Sequence, residues 1–120
     1  MTRTRVYVAG PYSADNVITV LANMRRGIWA SAGILRAGFA PFCPWLDYQF
    51  SLQAHVSLAD YYEYGLAWLE VSDVVYVLAG WENSAGTLAE LKRARELEIP
   101  IVHSMAELLA GGYAGTRGQP

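Results

Sequence analysis

A single cysteine, Cys43, leaves the chain unable to form an internal disulfide or a cysteine-rich zinc site. Excess positive charge is also missing: nine Lys and Arg stand against eleven Asp and Glu, a formal net charge of −2. That excludes a sequence-independent DNA binder held by bulk charge. No uninterrupted apolar run approaches the roughly 20 residues that a membrane helix needs. The opening MTRTRVYVAGPY contains no apolar core of the secretory kind. His55 and His103 have no companions at metal-ligand spacing. The expectation is a cytoplasmic protein with no metal or other cofactor, and with neither a membrane nor a nucleic-acid polymer as partner.

Apolar and aromatic side chains are plentiful. Hydrophobic residues make up 53% of the 120, the composition of a folded domain, and the length suits one domain but not two. Four Trp and eight Tyr are many for so short a chain. The pattern predicts one domain over residues 1–110 and a flexible tail over 111–120 (GGYAGTRGQP carries no core-forming pattern).

Breakers and periodicity divide the chain. Arg5–Ala9 (RVYVA) is a short β-branched run stopped by Gly10-Pro11, which fits a buried strand. From Asn16 to Arg36, Val17, Leu21, Met24, Ile28 and Leu35 recur at helical spacing, and Ala37-Gly38 ends the helix. Phe39–Cys43 reads as a strand near an edge because it carries Pro41. The segment Pro44–Ser57 is irregular and aromatic. Leu58–Val71 reads as a helix with Leu58, Tyr62, Leu66 and Leu69 on one face. Asp73–Leu78 has the continuous apolar character of a buried parallel strand. A helix to about Leu97, a strand over Ile101–His103 and a last helix over Ser104–Leu109 complete the order. Alternation of β and α implies an α/β fold with a parallel sheet of four to five strands and helices on both faces.

In such folds ligands bind beyond the carboxyl ends of the strands, which selects three loops. The first holds Gly10, Pro11, Tyr12 and Ser13: a glycine that permits close approach, then two hydroxyls. It fits neither the phosphate loop of NTPases nor the dinucleotide-binding glycine pattern. The second holds Trp45 and Tyr48. The third is Gly80-Trp81-Glu82-Asn83-Ser84-Ala85-Gly86, running into a helix that carries Glu90. Ser84, at a helix start among free N–H groups, suits an anion or a sugar hydroxyl. Glu90 has small neighbours one turn away on either side, Gly86 and Ala94, so a cleft-facing nucleophile or general base is one reading. A solvated Glu paired with Arg93 is the other. Trp45 and Trp81 could stack on a flat ligand or pack in the core, and the loop position of Trp45 favours the ligand. Trp29 lies off the apolar stripe of the first helix and suits a subunit interface.

The combination of VYVAGPYS, SDVVYVLAGWENSAGTLAEL and IPIV resembles the nucleoside 2-deoxyribosyltransferase superfamily. It is closest to small phage and bacterial members related to the 2′-deoxynucleoside 5′-phosphate N-hydrolases, with their AGP start and GW-x-x-S-x-G-x-x-x-E signature. The similarity covers most of residues 5–103. It implies a Rossmann-like (flavodoxin-like) three-layer sandwich and a homodimer or higher homo-oligomer. It also implies an N-glycosidase or deoxyribosyltransferase acting on a small-molecule nucleoside or nucleotide. Glu90 then matches the nucleophile that forms a covalent glycosyl-enzyme, and Tyr7 the residue that orients it. Gly10, Tyr12, Ser13, Trp45, Trp81, Ser84 and Gly86 are the substrate-side candidates.

The chain departs from that pattern in two places. Family enzymes carry an Asp eight residues before the strand-opening Asp, where this chain has Gly65. Asp60, Glu63 or Asp47 would have to supply the acid from another direction. Glu63 lies about 200° around a helix from position 65. The first loop has Pro11 and Ser13 where the monophosphate hydrolases have Ser and Arg. Gly65 therefore keeps a second function open, a non-catalytic nucleotide-binding or sensing module of the same fold.

Overall fold

The computed structural model describes residues 2–111 and 113. Its elements run β1 (Arg5–Ala9), α1 (Val17–Arg36), β2 (Ala40–Phe42), a 3-10 segment (Pro44–Leu52), α2 (Leu58–Glu70), β3 (Val74–Val77), a 3-10 turn (Trp81–Asn83), α3 (Ala85–Glu96), β4 (Ile101–Val102) and α4 (Met105–Ala110). The four strands form one all-parallel sheet in the order β2-β1-β3-β4. β2 lies at the edge, where Pro41, lacking an N–H, faces Val6 without breaking an inner ladder.

Each helix starts on a side chain that satisfies one of its free N–H groups. The Asn16 side-chain oxygen accepts from the Thr19 N–H at 2.8 Å, Ser57 caps α2, Ser84 caps α3 and Ser104 caps α4. α1 ends where Gly38 takes φ +102°, a left-handed conformation that few side chains tolerate.

Alternation along β1 divides the core. Val6 and Val8 face one side with Ile34 of α1, Trp45, Val74, Val102 and Leu108 of α4. Tyr7 and Ala9 face the other with Leu69 of α2, Val75, Val77, and Leu91 and Ala94 of α3. The result is the three-layer α/β sandwich expected, of Rossmann-like or flavodoxin-like type, with the sheet between α1 and α4 on one side and α2 and α3 on the other.

The faces presented by the helices differ from expectation. Val17, Leu21, Ile28 and Leu35 are exposed, and the buried side of α1 consists of Asn23, Gly27, Ala30, Ser31 and Ile34. The cause is Trp45. Its ring lies so close to Gly27 that a Cβ there would come within 2.1 Å of it, so only a small-residue face can be turned inward. α2 behaves likewise: Leu58 and Tyr62 are exposed, while Gly65 and Leu69 are buried. Trp29 is 81% exposed. Among the described residues no helix is long and apolar enough to cross a membrane. Apart from Gly111 and Tyr113, the expected flexible tail over 111–120 lies outside the described residues.

Candidate active site

Tyr7 is the middle residue of β1, and its alternation places it on the side of the sheet covered by α2 and α3. Its ring stacks on Phe42 at the sheet edge, with centroids 5.4 Å apart, and Phe42 stacks in turn on Trp68 of α2. This stack fixes the ring, so the hydroxyl has a defined position. From there it donates a hydrogen bond to the carboxylate of Glu90, in the second turn of α3.

Glu90 is therefore not the solvated partner of Arg93. Arg93 reaches Glu70 at 3.0 Å and Glu96 at 3.2 Å instead. Burial raises the Glu90 carboxyl to about 7, against the opposing effect of the bond from Tyr7, which favours the charged form. Burial raises the Tyr7 phenol well above its usual value, and the charge of Glu90, the hydrogen bond and the charge of Asp47 act in the same direction. The phenol stays protonated and serves as donor. The pair thus offers an oriented carboxylate that gains and loses its proton near neutrality, the property of a nucleophile or a base.

α2 closes over the pair through Gly65. A Cβ at that position would stand 3.0 Å from the Tyr7 hydroxyl, a distance at which something must give way. The residue faces the Tyr7–Glu90 pair, and the helix passes too close for a carboxylate side chain to fit without displacement. Asp60 and Glu63, the other α2 acids, are exposed. Asp47 differs from both. It lies in the first turn of the 3-10 segment, is half-buried, and has its carboxyl raised by burial to about 6. Its charge reaches both Tyr7 and Tyr12.

The three loops meet where the sequence placed them, though several residues take different tasks. The Trp45 side chain is 1% exposed, and its indole N–H donates to the Pro11 carbonyl at 3.1 Å. Trp45, expected to stack on a ligand, is thus a core residue that fastens the 3-10 segment to the first loop and leaves no ring face open. Gly10 is needed for packing, since a Cβ there would come 2.9 Å from that of Leu78. Tyr12 is half-buried against Tyr48, with ring centroids 6.5 Å apart, and burial pushes its phenol up to about 12. Ser13 is exposed. Trp81 is half-buried, with its ring 6.0 Å from that of His103. The Ser84 hydroxyl oxygen accepts from the Thr87 N–H at 3.2 Å and lies 2.9 Å from the Thr87 hydroxyl, so it works as the α3 cap. Gly86 opens α3 opposite the Tyr62 ring.

Sequence reasoning missed two supports of these loops and one of Tyr7. Arg26 donates to the Ala79 carbonyl at 2.7 Å and Asn23 to that of Tyr12 at 3.2 Å, tying the loops after β3 and β1 to α1. Phe42, the platform under Tyr7, carried no signal beyond membership of an apolar edge strand. Among the described residues no three His, Cys, Asp or Glu side chains come together as a metal-holding group. An apolar cavity of about 430 Å³ lies elsewhere, between α1, β2 and Leu46.

Residues 4–103 match a domain of unknown function, DUF4406. No curated protein matches the chain. Because the match spans most of the sequence and the whole sheet, with both Tyr7 and Glu90 inside it, the chain belongs to the DUF4406 family.

Proposed function

We propose that the protein breaks the N-glycosidic bond of a small nucleoside or nucleotide, with Glu90 as nucleophile. The observation that carries this reading is the hydrogen bond from Tyr7 to a Glu90 carboxyl poised near neutrality. A carboxylate oxygen aimed by a fixed phenol can attack the anomeric carbon and hold the sugar as a covalent ester, as retaining glycosidases do. The GW-x-x-S-x-G-x-x-x-E stretch and its resemblance to the nucleoside 2-deoxyribosyltransferase superfamily support it from the sequence side. Water or a second base then releases the sugar. Tyr12, Ser13, Trp81, Ser84 and the backbone at Gly10 and Gly86 border the place where sugar and base would lie.

The test is release of free base from a panel of nucleosides and their 5′-monophosphates. Glu90→Ala is expected to lower it by roughly 10⁴–10⁶-fold. No release by the unaltered protein from any member of the panel would sink the proposal.

Gly65 favours a second reading, a nucleotide-binding module without turnover, because α2 offers no acid to the leaving base. Stabilisation against heat by intact nucleotides, with no base released on long incubation, distinguishes it. Self-association belongs to the same proposal. The exposed row of Ile18, Leu21, Ile28, Trp29 and Leu35 along α1 is the apolar surface that a second copy would cover.

A further inference from the structure

Beside the carboxylate that attacks the sugar, a poorly leaving base such as adenine calls for a second group that protonates it as it departs. α2 cannot provide the second, since Gly65 passes against the Tyr7 hydroxyl and Asp60 and Glu63 face solvent. The segment after β2 carries a carboxyl group whose charge acts on the Tyr7 phenol, that of Asp47. Trp45 is sunk in the core and bonded to the Pro11 carbonyl, and Tyr48 lies beside Tyr12, so the first turn of this segment is held against the loop after β1 from both sides. Asp47 sits between these two anchors in the chain. Its side chain is half-buried and makes no hydrogen bond or ion pair with any described residue. A carboxyl group taken partly out of water and given no protein partner is an arrangement that costs stability, and such costs gather at functional sites.

We propose that Asp47 is the general acid of this site, protonating the departing base from the β2 side of the cleft in place of an acid on α2. The proposal rests on the glycosidase reading of Glu90. A Glu90 oxygen bonds to the anomeric carbon while the bond from that carbon to the base nitrogen breaks. The bond's electron pair passes to the base, which takes the proton of Asp47. In the second step the Asp47 carboxylate takes a proton from water, the water oxygen bonds to the anomeric carbon, and the ester bond to Glu90 breaks. Free sugar leaves, and both side chains return to their starting states. Burial of Asp47 is consistent with this, since it keeps the carboxyl protonated to higher pH than an exposed Asp.

The test compares two leaving groups on the full-length protein. Adenine in deoxyadenosine and its 5′-monophosphate leaves well only when protonated. Nicotinamide in the corresponding pyridinium deoxyribosides leaves as a neutral molecule and needs no proton. Asp47→Asn is expected to slow adenine release by about 10²–10⁴-fold and nicotinamide release far less. Asp47→Glu, which retains an acid, should release adenine faster than the Asn variant. Equal losses on both leaving groups, or undiminished adenine release, overturn the role of Asp47 while Glu90 stands. An unaltered protein that releases nicotinamide but not adenine also overturns it. Failure of the unaltered protein to release either of these bases, or the base of any other nucleoside or 5′-monophosphate in the panel, overturns the glycosidase reading itself, and this proposal with it.

Discussion

Tyr7 and Glu90 stand 83 positions apart in the chain and are joined by one hydrogen bond, phenol to carboxylate. The central strand contributes one partner and the second turn of α3 the other, so the bond forms only when the β1–β3 pairing and the packing of α3 on the sheet are both complete. A site built this way is rigid on the protein side, as a nucleophile must be if it is to meet a sugar carbon in one orientation.

The first consequence concerns pH. Tyr7 lowers the Glu90 pKa by stabilising the charged form, against the larger upward effect of burial. Release of nicotinamide, which needs no proton from Asp47, should therefore rise with pH up to about 7 as the nucleophile ionises, whereas adenine release falls again as Asp47 ionises from about 6. Removing the donor in Tyr7→Phe leaves burial unopposed, so the rising limb of kcat/KM moves to higher pH. The rate below pH 7 should drop more than the rate well above it. A limb that stays in place would mean that Tyr7 does not act on the ionisation of Glu90.

Stability depends on the same group, with a definite sign. The Glu90 carboxyl is raised from 4.5 to about 7 on folding, so between those values the folded chain binds more protons than the unfolded one. Stability then falls as pH rises through this window, and the cost is complete above it. At about 1.36 kcal/mol per unit the upper bound is roughly 3 kcal/mol. Glu90→Gln, which can still accept from Tyr7, is expected to raise the melting temperature at pH 8 and to change it little at pH 4. An equal effect at both pH values would contradict the burial of this charge.

Packing supplies a further prediction away from the chemistry. Gly27→Ala places a methyl group where the Trp45 ring lies, at 2.1 Å, and overpacking of this kind costs about 1–3 kcal/mol. Because Trp45 also anchors the segment that carries Asp47, the variant should lose activity together with stability. Combining it with Trp45→Leu should cost less than the sum of the two single changes, since contacting residues couple by about 0.5–3 kcal/mol. Urea unfolding of the four proteins in this cycle measures it. Strict additivity would show that the two side chains do not compete for one space.

The elements were legible in the sequence because their signals are local. Gly10-Pro11 stops β1, Ala37-Gly38 ends α1, and the apolar run of β3 belongs to an inner parallel strand. The inward faces of the helices were not. Apolar periodicity marks Val17, Leu21, Ile28 and Leu35 as a stripe, but nothing local tells whether the stripe or the small-residue row of Gly27, Ala30 and Ser31 meets the sheet. That choice depends on Trp45, which arrives from a different segment. The same long-range fact turned Trp45 from an expected ligand contact into a core residue. Tyr7 and Glu90 were singled out by the family resemblance, since position alone left Glu90 open between a cleft and solvent, whereas the choice of Asp47 over Asp60 and Glu63 needed burial, which spacing does not encode.

In the proposed reaction Glu90 becomes covalently bonded to the sugar. A 2-deoxy-2-fluoroarabinosyl pyridinium nucleoside tests it directly, because the fluorine slows both steps and the good leaving group lets the intermediate accumulate. Mass spectrometry of the treated protein should show one added fluorosugar, located on the peptide containing Glu90 and missing from Glu90→Gln. An adduct on another residue, base release that Glu90→Gln leaves undiminished, or neither adduct nor release in the unaltered protein would contradict the account.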